Sequence, residues 1–328
     1  MRKLLAAGAA LLLALTLAGV VYQFVTTSGD SRRYPPPGRM VTIDGVRLHA
    51  QILGGGAPTV VFDAPVGASS LGWALVQPAV AEFTTTFAFD RAGYGWSDPG
   101  RAPRTSARIV TELHELLENS GVPKPYVLVG ASFGGCNLRL FAFRYPAEVA
   151  GLVLVDPAHE DQFIRAPSTR QATMPLRLFQ LASRLGIMRL AGLPVDIAGL
   201  NVLPPDRQVI AAAAGYRTSA VDAIVAETGA IEKSFAEVRE ARVSAGKTPL
   251  GDRPLMVLTR REETPPVGEE AARYSIWVGL HRELVAESTG GRQQFVEKSG
   301  HFIAVDQPSK VVEAIREVVE LVRTAPPT

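Results

Sequence analysis

The chain has 328 residues, of which 47% are hydrophobic and 20% are charged, a balance that suits a globular protein with a sizeable core. Its formal net charge of +2 matches the two cations Arg2 and Lys3, and no block of like charges follows them. The composition therefore gives no reason to expect a nucleic-acid partner. A single cysteine, Cys136, excludes an internal disulfide and a multi-cysteine metal site.

The N-terminal segment differs from the rest of the chain, because it is apolar over residues 4–21. This run is near the roughly 20 residues that a transmembrane helix needs and exceeds the apolar core of a signal peptide, about 7–15 residues. We expect residues 1–27 to form a single-pass anchor in the cell membrane, with the remainder extracytoplasmic. Cleavage after Ala18, followed by secretion, is the alternative. The polar, proline-rich residues 28–39 predict a linker to a domain over residues 40–328.

The predicted elements of that domain alternate between short strands and helices. Alternating apolar residues around Asp44 and Gly45 predict a β-hairpin at its start. A helix is predicted over SLGWALVQPAVAEF, with Pro78 inside it, and a later helix is predicted to stop at Gly121. The apolar strands TVVFD, TTTFAFD, YVLVG, VAGLVLVD, PLMVLT and QQFVEKS lack alternation, which indicates a parallel sheet covered on both faces.

This alternation stops over residues 157–248, where the sequence has helical patterns rich in alanine and leucine and no convincing strand. The sheet pattern then resumes and closes with a final helix. A helical insertion at this point predicts a lid over the carboxyl edge of the sheet, which is the edge where open α/β sheets bind ligands.

The stretch Gly130-Ala131-Ser132-Phe133-Gly134 fits the pattern G-x-S-x-G and lies between a predicted strand and a predicted helix. Gly130 and Gly134 lack the Cβ atoms that would clash in so tight a turn. The serine hydroxyl then stands above the sheet, at the positive end of the following helix. Ser132 is the candidate nucleophile, and the alternative is a turn whose serine only caps the helix.

A serine hydroxyl needs a base that removes its proton, and histidine suits that task near neutral pH. Of the five histidines, His301 follows the last predicted strand, and Gly300 leaves its loop free to direct the ring inward. The end of a parallel strand places His301 at the same edge of the sheet as Ser132. The alternative is a histidine on a surface loop.

With these residues the chain resembles the α/β-hydrolase superfamily over residues 40–323. The resemblance rests on VGASFGG, DRAGYGWSD, GLVLVDP and SGHFIAVDQP, the last before a closing helix. It implies an α/β-hydrolase fold, in which a mostly parallel central sheet has helices on both faces and a helical lid is inserted after the sixth strand. It also implies that the loop with Asp90 and Arg91 holds its neighbours in place and takes no part in the chemistry.

The same resemblance implies an acid that orients the histidine, and the sequence offers two places for it. Many relatives carry an aspartate after the strand that corresponds to PLMVLT, where this chain has Glu262 and Glu263. Other relatives use the end of the preceding strand, where this chain has Asp156. Both places keep the order serine, acid, histidine. We favour Asp156, with Glu263 or Glu262 as the alternative acid.

An oxyanion hole is expected from two backbone N–H groups. One belongs to Phe133, the residue after the nucleophile, and the other comes from the loop after TVVFD. Relatives commonly have His-Gly in that loop, whereas this chain has Ala64-Pro65. Pro65 has no N–H, but the expected donor is Val66, so the substitution changes the shape of the loop and keeps the donor.

The sequence thus predicts a serine hydrolase that cleaves a small or medium, apolar ester through an acyl-enzyme and needs no cofactor or metal. Its predicted partners are the ester and, through the N-terminal helix, the membrane. Aminopeptidase-like or lactonase activity on the same residues is an alternative, as is a catalytically silent ligand-binding protein. An aminopeptidase requires an acidic group in the lid that binds the amine of its substrate, and Glu227 and Glu232 are candidates.

Overall fold

A computed structural model describes residues 1–166, 173–192 and 203–325 of the chain. The strands are β1 (Arg39–Ile43), β2 (Val46–Leu53), β3 (Thr59–Asp63), β4 (Thr86–Phe89), β5 (Tyr126–Ala131), β6 (Val149–Val155), β7 (Leu255–Arg261) and β8 (Gly291–Glu297). They form one sheet in the order β1-β2-β4-β3-β5-β6-β7-β8. The pairs β1–β2 and β2–β4 are antiparallel, and all other neighbours are parallel.

Helices cover both faces of this sheet. Those of the described residues are α1 (Arg2–Arg33), α2 (Gln77–Ala81), α3 (Ser106–Ser120), α4 (Phe133–Arg144), α5 (Gln162–Arg165), α6 (Thr173–Arg184), α7 (Ile187–Leu190), α8 (Pro205–Gly215), α9 (Thr218–Ala245), α10 (Glu269–Val285), α11 (Ile303–Asp306) and α12 (Pro308–Thr324). The helices α3, α4, α9 and α10 pack on one face, and α2, α11 and α12 pack on the other.

The central strands explain why their sequences lack alternation. Every residue of β3 and β5 is buried, because each strand is covered by helices on both faces. On one face Leu113 and Phe141 belong to the core, and on the other face Val80 and Ile315 do. Burial of both faces favours continuous apolar strands in a parallel sheet. The predicted α/β fold is confirmed.

The β-hairpin at the start of the domain is also confirmed. Its turn consists of Asp44 and Gly45, which have φ values of 48° and 79°. Two consecutive positive φ values are typical of the tight turn whose twist matches that of the flanking strands.

The helix predicted over SLGWALVQPAVAEF is wrong as a single element. The structure has a 3-10 turn at Ser70–Trp73 and then the short α2. Pro78 lies in the first turn of α2, where a missing N–H costs no hydrogen bond. The proline therefore marks the start of a helix and does not interrupt one.

The N-terminal helix ends later than the sequence suggests. α1 continues to Arg33, so the first part of the predicted linker is helical. The hydroxyl of Thr26 donates to the carbonyl of Tyr22, and that of Ser31 donates to Thr27. Because these hydroxyls form hydrogen bonds within the helix, polar residues near its end can remain helical. The polarity of the segment alone therefore does not show where the helix ends.

The insertion between β6 and β7 is helical in its described part, from α5 to α9. The second half of α9 packs on α3 and α4, where Phe235 and Val238 are buried in the core. The backbone N–H of Ser106, at the start of α3, donates to the hydroxyl of Ser234. This half of α9 is therefore part of the body of the domain, although it falls within the predicted lid. Residues 167–172 and 193–202 of that lid lie outside the described residues.

Candidate active site

Ser132 connects the end of β5 to α4, in a backbone conformation that few residues adopt. Its φ of 51° lies in the left-handed region, which costs a residue other than glycine about 1–3 kcal/mol. A Cβ atom at Gly130 would lie 2.7 Å from the backbone of Gly134, and one at Gly134 would collide with the carbonyl group of Asp63. The tight turn expected from G-x-S-x-G is therefore present, and its two glycines are sterically required.

His301 lies after β8, on the loop before α11, and its imidazole reaches the carboxylate of Asp156 at the end of β6. The Nδ1 of His301 is 2.6 Å from Oδ2 of Asp156. Asp156 is buried, whereas the imidazole is partly exposed. Because an ionised carboxylate only accepts hydrogen bonds, Nδ1 carries the proton, and Nε2 of the neutral ring keeps its lone pair. This tautomer is the one that a histidine base requires.

Three more donors hold the carboxylate of Asp156. The guanidinium of Arg260 lies 2.5 Å from Oδ2, the backbone N–H of Arg260 donates to Oδ1, and the indole N–H of Trp277 donates to Oδ1 at 3.0 Å. Burial raises the pKa of Asp156, but the hydrogen bond and charge of His301, followed by the charge of Arg260, outweigh burial and lower the pKa overall. Asp156 therefore stays ionised and fixed in one orientation.

The alternative acids lie elsewhere. Glu262 and Glu263 follow β7 with exposed side chains. Glu262 lies 3.8 Å from Arg260, and Glu263 lies 3.4 Å from Lys298. The structure thus brings Asp156 to His301 and directs both glutamates toward other cations.

The two expected oxyanion donors lie at the ends of β5 and β3. Phe133 is the first residue of α4, and Val66 follows Ala64-Pro65. Among the described residues, neither backbone N–H donates a hydrogen bond to the protein. The first N–H groups of a helix have no acceptor within the helix and are free for an anion. A cavity of about 20 Å³ is lined by Pro65, Ala131 and His301, so the loop, the strand before Ser132 and the histidine share one space.

Comparison with known proteins decides the family of this chain. The model of the alpha/beta hydrolase family matches residues 48–314. The chain belongs to the α/β hydrolase family. YqjL of Bacillus subtilis (strain 168), an uncharacterized protein, is 29% identical to this hydrolase over 278 residues, which are 84% of this chain and 90% of YqjL.

Two solved structures show the same fold at lower identity. An esterase from Thermogutta terrifontis is 20% identical, with a TM-score of 0.62 over 88% of this chain and 100% of its own. The epoxide hydrolase CorEH is 18% identical, with a TM-score of 0.60 over 87% of this chain and 99% of its own. At this identity the likeness is one of fold, and the chemistry has to be argued from the site.

A buried ionic network of the hydrolase ties the helical insertion to the loop that carries Val66. Arg91 lies 2.5 Å from Asp63 and 2.9 Å from each carboxylate oxygen of Glu227, which comes from α9. It also donates to the carbonyl of Pro65. All three charged side chains of this network are buried. The loop of Asp90 and Arg91 thus holds neighbouring elements together, as the resemblance implied.

Sequence reasoning missed the roles of Arg260 and Trp277. Arg260 follows the predicted strand PLMVLT, close to Glu262 and Glu263, and therefore lies at the same edge of the sheet as Ser132, which is a usable signal. Trp277 lies on α10, and no motif or spacing in the sequence marks it as a contact of Asp156. Its indole N–H reaches Asp156 only because α10 packs beside β7, which no local pattern records.

One group of possible metal ligands lies away from the site. The ligand atoms of His114, Glu118 and Glu148 lie within 4.8 Å of one another. The ammonium of Lys124 is 2.6 Å from Glu118 and 3.0 Å from Glu148, so a cation of the protein already neutralises these carboxylates. Sequence spacing did not predict this group, because its members come from α3 and the turn before β6.

Proposed function

We propose that this protein is a membrane-anchored serine hydrolase that cleaves a small or medium ester through an acyl-enzyme. The observation that carries the proposal is the 2.6 Å contact between His301 and Asp156, at the same edge of the sheet as the strained Ser132. A serine on a sharp turn, a histidine of fixed tautomer and a buried carboxylate are the parts of a hydrolytic triad.

In the proposed mechanism, Nε2 of His301 takes the proton of the Ser132 hydroxyl as Oγ attacks the acyl carbon. The buried carboxylate of Asp156 stabilises the imidazolium that forms. The N–H groups of Phe133 and Val66 bind the oxygen on which negative charge develops. The imidazolium then protonates the leaving alkoxide. Water, activated by the same histidine, attacks the acyl group and frees Ser132.

The identity of the nucleophile favours an ester over an epoxide as the substrate. Attack of Ser132 on an epoxide carbon would give an ether, which water cannot release under mild conditions. Attack on an acyl carbon gives an ester, which the same site hydrolyses in its second step. Lactones meet this requirement as cyclic esters and remain within the proposal. The apolar residues of the helical insertion favour an apolar acyl or alkyl group.

The contacts of Glu227 argue against this residue as the amine-binding group of an aminopeptidase. Its two carboxylate oxygens bind Arg91, and one of them also accepts from the hydroxyl of Tyr94 at 3.0 Å. The side chain is fully buried. A carboxylate so engaged has no free oxygen for the amine of a peptide. The silent binding protein is disfavoured because such a protein has no need for the strained conformation of Ser132.

The helix α1 supports the membrane part of the proposal. It is long and apolar enough to cross a membrane by length and composition, a property that signal sequences near an N-terminus share. Arg2 and Lys3 precede the apolar run, which favours a cytoplasmic N-terminus and an extracytoplasmic hydrolase domain. The mass of the mature chain tests retention of α1, because cleavage after Ala18 would shorten the chain measurably.

The catalytic proposal is tested with the full chain in detergent and p-nitrophenyl esters of graded chain length. We expect hydrolysis by the wild type, labelling by a fluorophosphonate, and a loss of about 10³-fold or more in kcat for Ser132→Ala and His301→Gln. Ser275→Ala is the control, because Ser275 is an exposed serine on α10. Unchanged hydrolysis in Ser132→Ala would reject the proposal.

A further inference from the structure

The helix α1 is packed against the helical insertion along its second half. Gly19 faces the turn between α6 and α7, and a Cβ atom at Gly19 would collide with the carbonyl oxygen of Leu185. Gln23 is 4% exposed, and its side-chain amide donates to the carbonyl of Tyr216 at 2.6 Å. Further along, Arg189 of α7 lies 2.6 Å from Asp30. The insertion therefore has a fixed position relative to α1.

The contact at Gly19 falls within the apolar part of α1, which is long enough to cross the bilayer. A hydrocarbon core about 30 Å thick takes about 20 helical residues, so a span that starts at Leu4 ends near Gln23. Gly19 precedes Gln23 by four residues, or about 6 Å along the helix. The turn between α6 and α7 contacts Gly19 and therefore lies at the depth of the membrane interface.

The helices that meet α1 carry a patch of exposed apolar side chains, which we call the α6–α7 patch. Each of its members is between 46% and 65% exposed: Leu178, Phe179, Leu181, Ile187 and Leu190. Large apolar side chains grouped on a surface mark an interaction site. The same helix α6 has a polar side, where Arg184 lies 2.9 Å from Asp222. The segment is therefore amphipathic, with its apolar side uncovered in the monomer.

We propose that the α6–α7 patch rests in the interfacial layer of the phospholipid bilayer that α1 crosses. The turn that joins the two parts of the patch contacts Gly19, within the apolar run of α1, so the patch lies beside the proposed span. An amphipathic helix at an interface buries its apolar side about 5–10 Å deep, which agrees with the 6 Å or so between Gly19 and Gln23. This inference rests on the proposed anchor. It places the helical insertion against the lipid.

The test uses the full chain, labelled through a cysteine with an environment-sensitive fluorophore. The variants Leu181→Cys and Leu190→Cys place the label in the patch. Native Cys136 is buried, its thiol donates to the carbonyl of Ala158, and burial is the main cause that raises its pKa, so it stays unlabelled at neutral pH.

The control label is placed at Leu321, an exposed leucine of the amphipathic helix α12. Arg323, one half-turn further on, donates to the carbonyls of Ala57 and Phe83, which come just before the parallel strands β3 and β4. Leu321 therefore lies near the amino edge of the sheet, opposite the insertion. Leu321→Cys changes another leucine that is exposed to water, without altering the patch.

The labelled proteins are reconstituted in vesicles of phosphatidylcholine and phosphatidylglycerol, and flotation confirms that they are bound. We expect the emission of the label to be blue-shifted at both patch positions. Lipids that carry a nitroxide near the head group should quench at least half of this emission. The label at Leu321→Cys should show neither the blue shift nor the quenching. Water-like emission from the patch in vesicles that retain the protein would overturn the inference and leave the anchor intact. A blue shift without lipid quenching would indicate a second copy of the chain and would also overturn it. Failure to float would reject the anchor and, with it, this inference, whereas ester hydrolysis would be unaffected.

Discussion

The imidazole of His301 and the carboxylate of Asp156 meet at 2.6 Å although 145 residues separate them along the chain. Asp156 ends β6 and His301 follows β8, and β7 lies between these strands in the sheet. Parallel strands deliver their carboxyl ends to one edge, so both residues reach the edge that also holds Ser132. The same arrangement leads the intervening β7 to supply Arg260, which contacts them both.

The choice of acid gives the first prediction. Asp156→Asn keeps the shape of the side chain but removes its charge and favours the wrong histidine tautomer, so we expect kcat to fall about 10³- to 10⁴-fold. Glu262→Gln and Glu263→Gln are matched controls, and we expect each to stay within about two-fold of the wild type, since both side chains are exposed. Steady-state kinetics on one ester measures all three. A large loss in either glutamate variant, with Asp156→Asn active, would reassign the acid.

Arg260 gives the second prediction, a loss of activity. Its guanidinium nitrogen lies 2.5 Å from Oδ2 of Asp156 and 3.5 Å from Nδ1 of His301, so its charge-assisted hydrogen bond holds the carboxylate that orients the imidazole. We expect Arg260→Gln to lower kcat about tenfold, because a hydrogen bond to a charged group contributes about 1.5 kcal/mol or more. Arg261→Gln is the control, because Arg261 pairs with Glu297 at the surface. Equal kcat values for both variants would show that Arg260 does not support the site.

The third prediction concerns the buried network of Arg91 and Glu227. Glu227→Gln leaves the guanidinium with one buried carboxylate instead of two, and we expect a loss of about 3–5 kcal/mol in the free energy of unfolding. Glu240→Gln, an exposed change on the same helix, should cost less than about 0.5 kcal/mol. Denaturant unfolding in detergent compares the two. Similar midpoints for both variants would mean that the network adds no stability.

The fourth prediction is a loss of stability in mild acid to which His281 contributes. Nε2 donates to the carbonyl of Pro157, so Nδ1 accepts from the hydroxyl of Thr259 and the ring is neutral. Burial lowers the pKa of His281 from 6.5 to about 4. Between pH 6.5 and pH 4 the unfolded chain therefore binds a proton at His281 that the folded chain does not bind. The free energy of unfolding falls over this range by roughly 3 kcal/mol.

Unfolding curves recorded between pH 7 and pH 4 test this effect of His281. We expect His281→Gln to be less stable at pH 7, because it disturbs two buried hydrogen bonds, and to lose less stability on acidification than the wild type. A slope that His281→Gln leaves unchanged would contradict the prediction.

Asp156 extends the loss of stability to lower pH. Its pKa in the folded protein is below the ordinary value of 3.8, so its contribution is complete above that value and is lost as the pH falls further. Acid unfolding of Asp156→Asn should lack this last part of the decrease in stability. If the stability of Asp156→Asn fell below pH 4 as steeply as that of the wild type, Asp156 would not be the group responsible.

The sequence by itself determined the strands, the turn at Ser132 and the edge on which His301 had to lie. These features follow from local rules: burial on both faces removes alternation, a strained turn demands glycine at positions 130 and 134, and parallel strands end at a common edge. The single helix predicted around Pro78 failed for a local reason, since the same residue starts a helix as readily as it interrupts one.

Only the tertiary structure decided which carboxylate meets His301 and what surrounds the pair. Asp156 and Glu263 both lie at strand ends on the correct edge, and their difference arises from side-chain direction and burial, which depend on the packing of α10 against β7. The contacts of Arg260 and Trp277 with Asp156, of Glu227 with Arg91, and of α1 with the insertion all join segments far apart in the chain. Periodicity and motifs report the surroundings of a residue along the chain, whereas these contacts exist only once the sheet has brought distant segments together.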